Sequence, residues 1–397
     1  MLSVIFCALA LQPDPKTQEE LEKLEERIEK RLQELDRKLE DVNKVAAKNA
    51  FNPQITVFGN SAMRSDTRRV LFDPADPDSR IDDRAYFRAG EFDFRAAIDP
   101  YADGVIIVAV EATPDGEFET HIEEGYALLK KIPLLEVDGV KLKLGVFRPS
   151  FGVSNKLHLH DMPHTTRPLV IERYLGAEHG SFFEAGFAPL GAEFNFFVSG
   201  LGDAITVDVF IDVLQAGEMA LTEGNDAEPP ALMAHVDVFY RFGAATTLNV
   251  GVSHYHERGD LSTHVSGVDL TFVWKPDSFR SVIVGGEIMT ADRQFDDMGP
   301  SAESEPTGWY AYVQVQLSAA VYVGARFDHV EAIDNDGLEA AAVGAYVSYY
   351  TSEFFRIRIG FERRSGDLPE DDDLDTVMLE FNIVFGSHPI EPYWVNR

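Results

Sequence analysis

The stretch of residues 309–327 constrains the fold more than any other, because it reads as two β-strands joined by a short turn. In the first strand, apolar residues at every second position alternate with tyrosine and glutamine, and the alternation resumes after the turn at 318–320. A period of two is the signature of a strand whose two faces meet different environments. Each strand is also close to the length of about 9 to 11 residues that a tilted strand needs to cross a bilayer.

The same alternation recurs along most of the chain, which predicts a closed sheet and not a soluble sandwich. Residues 355–362 repeat it with Arg356 and Arg358 on one face, and residues 377–385 repeat it again. Two arginines on one face need water or partners, so that face is expected to look into a wet lumen. The predicted fold is all-β, a transmembrane antiparallel β-barrel of about sixteen strands over residues 52–388, followed by a C-terminal tail at 389–397.

The order of the strands predicts which connections share a rim of the barrel. Residues 181–189 are interpreted as one strand, and residues 191–213 as one long strand bent around Gly200 and Gly202. If residues 191–213 formed a hairpin instead, the parity of every later connection would change. The predicted short turns are at 99–103, 189–191, 243–246, 276–279, 318–320 and 351–353, and the long acidic loops are at 214–231, 293–306 and 366–374. An even number of strands brings both ends of the barrel to the short-turn rim, which is expected to face the periplasm.

Composition excludes several classes of protein. The formal net charge of -32 argues against a nucleic-acid partner, since phosphate binding needs clustered cations. Cys7 is the only cysteine, so no disulfide and no thiolate metal site is expected in the mature chain. No stretch reaches the roughly 18 to 20 apolar residues of a membrane helix, so a membrane protein of this sequence must be a barrel.

Two segments are predicted to precede the barrel. Residues 1–10 are apolar and end in the A-x-A pattern that signal peptidase prefers, so they are interpreted as a signal peptide. Residues 17–50 are highly charged with apolar residues three and four apart, which predicts a coiled coil in the periplasm. The alternative is one amphipathic helix that lies on the chain's own body. The seam that would join copies of the chain comprises Leu21, Ile28, Leu32, Leu35, Leu39 and Val42.

The connection after the fifth predicted strand, between Arg148 and about Gly180, is much longer than an ordinary loop. Loops of this length are usually functional or disordered, and its apolar residues predict packing inside the barrel. Its histidines either hydrogen-bond the loop to the barrel wall or bind a metal, since imidazole and carboxylate suit zinc or copper. The candidate constriction residues are Phe151, His158, His160, Asp161, His164 and Arg167, and the candidate metal ligands are His158, His160 and His164.

Motif residues in and after this connection carry a resemblance to a known family. They lie at 147–152, Asn155, 158–161, 167–168 and 381–388. Together with the order of signal, coiled coil and barrel, they resemble the phosphate-selective porin O/P family of outer-membrane porins. The resemblance implies trimers and a loop after the fifth strand that folds inward and narrows the channel. The chain departs from the family in its acidic charge, where anion-selective members line their pores with cations, and in a last strand that ends near Phe385.

Paired carboxylates are the features that most suggest catalysis. Glu123 and Glu124 are adjacent, so on a strand they are expected to point to opposite faces, and the acidic run 371–373 is expected to be a solvated rim. The sequence has neither a G-x-S-x-G elbow nor a phosphate-binding loop. We therefore expect no enzyme activity and no cofactor.

The expected function is a passive, water-filled channel for small hydrophilic solutes or ions, because about sixteen strands enclose a lumen that side chains alone do not fill. The alternative is a structural protein that tethers the outer membrane to another layer through its coiled coil. The expected partners are solutes or ions, outer-membrane lipid and further copies of the chain in a homotrimer. Mixed charge on the inward face would set a transverse field that biases the choice of ion. The candidate pore-lining residues are Glu91, Asp93, Arg95, Lys141, Lys143, Asp237, Arg241, Asp269, Glu287, Arg326, Asp328, Arg356, Arg358, Glu362 and Glu380.

Overall fold

A computed structural model gives the fold, and it describes residues 53–68, 70–71, 80–81, 84–112, 117–132, 139–176, 186–198, 201–222, 225, 229–295, 303–368 and 373–386. The predicted signal peptide at 1–10, the predicted coiled coil at 17–50 with its seam, and the predicted tail at 389–397 lie outside these residues. Those three predictions are therefore untested by the fold.

Sixteen antiparallel strands form one closed sheet, because each strand pairs with its neighbours along the chain and the first strand pairs with the last. The strands are β1 Gln54–Asp66, β2 Arg84–Asp99, β3 Ala102–Ala112, β4 Phe118–Leu129, β5 Val140–Val146, β6 Leu190–Val198, β7 Ile205–Leu214, β8 Ala231–Arg241, β9 Thr246–Glu257, β10 Leu261–Asp277, β11 Arg280–Phe295, β12 Thr307–Gln316, β13 Val321–Ala332, β14 Asn335–Ser352, β15 Phe355–Gly366 and β16 Leu374–Gly386. Two-residue strands add to these: Val70–Leu71 pairs with Arg80–Ile81, and Glu303–Ser304 pairs with β11. The closed sheet confirms the predicted all-β barrel.

The alternation that predicts the strands also sorts side chains between the two faces of the barrel. In β12, Trp309 and Val313 are each 39% exposed on the outer face, whereas Gln314 and Gln316 are 1% and 2% exposed on the inner face. An apolar outer face and a polar inner face are the distribution expected of a barrel that meets lipid outside and water inside.

Two strand predictions between β5 and β8 are wrong. The described part of the predicted strand at 181–189, residues 186–189, forms no strand, and residues 191–213 form parts of β6 and β7. These two strands pair antiparallel, and Gly202 adopts a left-handed φ of 93° between them, so the glycines mark a turn and not the predicted bend. Because one strand is lost and one is gained, the total and the parity of the later connections stay as predicted.

The short turns gather at one rim of the barrel, termed the short-turn rim. They follow β2, β8, β10, β12 and β14, as predicted, and β1 begins and β16 ends at the same rim. The predicted turn at 189–191 is wrong, because β6 begins at Leu190, and the turn after β6 takes its place. The long connections after β5, β7, β11 and β15 share the other rim, termed the long-loop rim.

Two β-bulges each bring one additional charged residue onto the inner face. The register between β1 and β2 skips Arg88, and the register between β3 and β4 skips Glu123. A bulge adds one residue to one strand, which lets two successive side chains face the same side. Glu123 and Glu124 are accordingly both buried, and the prediction that they point to opposite faces is wrong.

An apolar core lies inside the barrel, between the connection after β5 and the inner face of β7 to β14. Phe151 and Leu169 of the connection are buried in it, together with Tyr310 and Val330 of the wall. Among the described residues, only Leu169–Leu175 forms an α-helix, and no helix there is long and apolar enough to span a membrane.

Candidate functional site

The connection after β5 packs against the inner face of the wall, and we term its residues 147–176 the inward segment. It contains two 3-10 turns, Ser154–Lys156 and Leu159–Asp161, and the helix α1, Leu169–Leu175. Gly176 ends α1 with a left-handed φ of 83°, a conformation that favours glycine. Most side chains of the inward segment are buried. The candidate site is built from this segment and the wall residues that it contacts.

Arginines of the wall hold the inward segment by its backbone. Arg358 of β15 donates to the carbonyl oxygens of Met162 and His164 at 2.7 and 2.6 Å. Arg88, the bulged residue of β2, donates to the carbonyl oxygen of Thr165 at 3.1 Å. Hydrogen bonds from charged donors are stronger than neutral ones, so these contacts fix the path of the segment.

Arg326 of β13 binds the next residues of the inward segment. It donates to the carbonyl oxygens of Thr166 and Arg167 at 2.5 and 3.2 Å. The same guanidinium pairs with Glu362 at 2.7 Å and with Asp328 at 2.8 Å. The Thr166 hydroxyl donates to Glu362 at 2.5 Å. On this side of the interior, the arginine is paired with carboxylates, and the inward segment belongs to the same network of hydrogen bonds and ion pairs.

His164 lies in this basic network. Its Nδ1 atom is 2.8 Å from Nη1 of Arg326 and 2.7 Å from the carbonyl oxygen of Thr166. Burial, and then the positive charges of Arg326, Arg358 and Arg167, lower the pKa of His164 well below its usual range. Its imidazole is therefore neutral at neutral pH.

A second group, termed the acid–imidazole cluster, joins the inward segment to β2, β3 and β4. Its members are Glu91, Glu111, His121, Glu123, Glu124, His158 and His160. Nδ1 of His158 lies 3.2 Å from Oε2 of Glu91 and 2.8 Å from Oε2 of Glu123. Nε2 of the same ring lies 2.9 Å from Oε1 of Glu124. The bulge in β4 is what lets one histidine meet both adjacent glutamates.

His160 extends the cluster towards β1 and β2. Its Nδ1 atom lies 2.8 Å from Oε1 of Glu91, and its ring stacks on Phe58 with 3.6 Å between the ring centroids. Burial acts to lower the pKa of His160, but the negative charges of Glu91 and Asp161 outweigh it and raise the pKa above its usual range.

The predicted pore-lining residues lie at strand positions that face the interior, and the structure sorts them by partner. Glu91, Arg326, Arg358 and Glu362 contact the inward segment. Pairs within the wall join Arg95 to Asp93, Lys143 to Glu193, Arg356 to Glu380 and Arg326 to Asp328. Glu287 accepts a hydrogen bond from the backbone N–H of Ser154 at 2.7 Å. The cations that the sequence predicts inside are largely held in ion pairs or hydrogen bonds.

One part of the interior is polar and less buried. Lys156, in a 3-10 turn of the inward segment, is exposed, and its Nζ lies 5.9 Å from the ring centroid of Phe210 on β7. Asp208, Asp237 and Asn249 on β7, β8 and β9 are partly exposed. Lys141 and Arg241, which the sequence also predicts to line the pore, are exposed.

Sequence reasoning missed Arg88, Glu111, His121, Glu123, Glu124 and Glu193 as interior site residues. Arg88 and Glu123 are bulged, and a bulge depends on the pairing of two strands, which no single-strand pattern reveals. The adjacent acidic pair at 123–124 is the one sequence feature that could have indicated the bulge in β4, because two charged residues in succession do not fit a regular strand with one apolar face.

Comparison with known proteins finds no family model that matches the chain. An uncharacterized protein of Aquifex aeolicus (strain VF5) is 23% identical over 342 residues, which are 75% of this chain and 68% of that protein. The outer membrane channel DcaP of Acinetobacter baumannii aligns with a TM-score of 0.54 and 13% identity, over 84% of this chain and 97% of that one. The fold is that of outer-membrane porins.

Two further solved structures share this fold. OmpF of Salmonella typhi, in complex with daunomycin, aligns with a TM-score of 0.53 and 10% identity, over 84% of this chain and 98% of that one. The anion-selective porin of Comamonas acidovorans aligns with a TM-score of 0.52 and 11% identity, over 84% of this chain and 100% of that one. None of these comparisons identifies the phosphate-selective porin O/P family, so that resemblance stays a prediction from the motif residues.

Proposed function

We propose that the chain is an outer-membrane porin, a water-filled channel for passive diffusion of small hydrophilic solutes or ions that the inward segment narrows. The observation that carries this proposal is the closed sixteen-stranded barrel with a polar inner face. Arginines of the wall bind the inward segment on that inner face. Sixteen strands enclose more space than wall side chains fill, so a segment held inside takes up part of the lumen. The porins that share the fold support the same function.

The passage for solutes is proposed to lie beside Lys156, along β7, β8 and β9. The support is the partial exposure of Asp208, Asp237 and Asn249, which contrasts with the full burial of Arg358 and of the apolar core. Partly exposed polar groups are hydrated, and hydrated solutes pass most easily along a hydrated wall.

The short-turn rim is proposed to face the periplasm and the long-loop rim the outside. Both ends of the barrel lie at the short-turn rim, from which the predicted coiled coil would reach into the periplasm. Trimer formation through the seam from Leu21 to Val42 is part of the proposal, supported by the heptad spacing and by the solved trimer form of OmpT, an outer membrane protein of Vibrio cholerae that shares the fold. Native mass in mild detergent tests it, since a monomer would contradict it.

Conductance in planar lipid bilayers tests the proposed channel. We expect the full chain to give reproducible ohmic steps, and we expect a variant that lacks residues 153–165 to give larger steps, because the deletion removes the middle of the inward segment. Circular dichroism of each sample checks that the barrel is folded.

The two parts of the proposal fail separately in this experiment. Folded wild-type protein that gives no steps contradicts the channel and leaves the tethering function as the alternative. Steps of the same size from wild type and the deletion variant contradict only the narrowing by the inward segment.

A further inference from the structure

The acid–imidazole cluster contains a set of donor atoms with the spacing of a metal site. One oxygen each of Glu91 and Glu123 and one ring nitrogen of His158 lie within 4.8 Å of one another. Two of the separations are 2.8 and 3.2 Å, from Nδ1 of His158 to Glu123 and to Glu91. Tetrahedral ligands held about 2.0 to 2.2 Å from a zinc ion lie roughly 3.3 to 3.6 Å apart, so small side-chain shifts would bring these atoms to that spacing. Glu111, His121 and Glu123 form a second set within the same distance, so Glu123 belongs to both.

The carboxylate of Glu123 is buried without the hydrogen bonds that burial requires. Its side chain is 1% exposed, and neither oxygen accepts a hydrogen bond from the described residues, although Nδ1 of His158 is close to one of them. A buried carboxylate normally accepts several hydrogen bonds or pairs with a cation. The β4 bulge turns this side chain inward, and bulges commonly re-aim a side chain next to a functional site.

His158 is oriented as a metal ligand. Its Nε2 atom lies 2.9 Å from Oε1 of Glu124, which is the contact of a ring N–H with a carboxylate. With the proton on Nε2, Nδ1 carries a lone pair and lies within 3.2 Å of one oxygen each of Glu91 and Glu123, so three electron-rich atoms lie close together. A carboxylate that holds the far nitrogen of a histidine is the usual outer partner of a metal-bound imidazole.

The charge around this point differs from the charge elsewhere inside the same barrel. Glu362 pairs with Arg326 and Arg364, and Glu380 pairs with Arg356 and lies near Arg358. By contrast, neither Glu91 nor Glu123 forms an ion pair with an arginine or lysine of the described residues, and the nearest basic groups are the imidazoles of His158, His160 and His121. Arginines therefore balance the carboxylates of Glu362 and Glu380, whereas a different cation could bind the carboxylates of the acid–imidazole cluster.

We propose that Glu91, Glu123 and His158 bind a divalent transition-metal ion, with Zn²⁺ as its representative. Mixed imidazole and carboxylate donors suit zinc and its neighbours better than Ca²⁺ or Mg²⁺, which prefer oxygen alone. Glu124 is a positioning residue that orients His158, and the second set with Glu111 and His121 offers a neighbouring position. The His121 side chain is 40% exposed, so an ion reaches the cluster from water. The bound ion would cross-link the inward segment to β2 and β4, independently of whether the barrel conducts.

Titration of the untagged, folded full chain with Zn²⁺ tests the site. We expect saturable one-to-one binding by wild type, and at least a tenfold loss of affinity in Glu123→Gln and in His158→Gln. Glu124→Gln is expected to lose about 10-fold to 100-fold, the effect of removing an outer partner. His164→Gln is the matched control, because it changes a buried histidine of the same segment that lies among arginines, and it should bind like wild type.

Two further measurements complete the test. Zn²⁺ should raise the thermal midpoint of wild type and of His164→Gln but not of Glu123→Gln, since an ion that binds only the folded state stabilises it. X-ray absorption of zinc-loaded wild type should detect imidazole and oxygen ligands, which keeps the site testable if a variant fails to fold. Absence of saturable binding, equal binding by the ligand variants, coordination without imidazole, or binding of Ca²⁺ or Mg²⁺ in preference to Zn²⁺ would each overturn the proposal.

Discussion

At the scale of single residues, the interior holds two histidines in opposite electrostatic environments only four positions apart. His160 meets the carboxylate of Glu91, whereas His164 meets the guanidinium of Arg326. The sequence places both in one histidine-rich loop and predicts that both contribute to the constriction. The structure separates them, because the segment passes from an acidic wall to a basic wall between these residues.

Replacing His164 tests this environment. The pKa of His164 is lowered in the folded state. As the pH falls through about 6.5, this histidine therefore binds a proton in the unfolded chain but not in the folded chain. The stability that the neutral ring contributes is present above about pH 6.5 and is lost as the pH falls from there towards the lowered pKa of the folded state, by at most about 1.4 kcal/mol for each pH unit. We expect the free energy of unfolding of wild type to fall more between pH 7.5 and pH 5 than that of His164→Gln, as measured by urea titration. An equal fall in both proteins would contradict the neutral, arginine-facing ring.

At the scale of elements, strand alternation was readable from the sequence because each strand obeys a rule that needs no partner. Residues 309–327 illustrate this, since their two faces are apolar and polar throughout. The bulges at Arg88 and Glu123 were not readable, because a bulge exists only in the register between two strands. The path of the inward segment could not be predicted from the sequence either. The wall arginines bind its backbone carbonyl oxygens, and every residue carries such an oxygen. Length and apolar content predicted its packing against the wall, and only the fold identifies the arginines that hold it.

Replacing two arginines of β15 in turn tests how this strand holds the inward segment. Arg358→Met removes the donors to the carbonyl oxygens of Met162 and His164, and buried acceptors left without donors destabilise the fold. We expect a loss of about 2 to 4 kcal/mol in the free energy of unfolding. Arg363→Met is the matched control, since Arg363 is half-exposed and pairs with the exposed Asp373, and it should lose less than about 1 kcal/mol. Equal losses in the two variants would mean that Arg358 does not anchor the segment.

At the scale of the whole molecule, the fold changes how the net charge of -32 should act on permeating ions. The sequence predicts that Arg356, Arg358 and Lys143 line the pore, where their positive charge would add to the mixed charge of the inward face. In the fold, Arg356 pairs with Glu380, Lys143 pairs with Glu193, and Arg358 is fully buried against the inward segment. These cations are neutralised or screened from the passage, so the carboxylates of the long-loop rim are expected to dominate.

We therefore expect a cation preference that weakens with salt, because the Debye length shrinks from about 10 Å at 0.1 M to about 3 Å at 1 M and screens charges at the mouth. The exposed Lys156 is the cation that the proposed passage meets on the inward segment, so Lys156→Gln should increase the preference. Lys130→Gln is the matched control, because Lys130 follows β4 at the short-turn rim and pairs with Asp103 at 2.8 Å. The reversal potential across a salt gradient measures the preference in all three proteins. An anion preference at low salt would contradict the dominance of the acidic rim. Equal reversal potentials for Lys156→Gln and wild type would mean that the passage does not run beside Lys156.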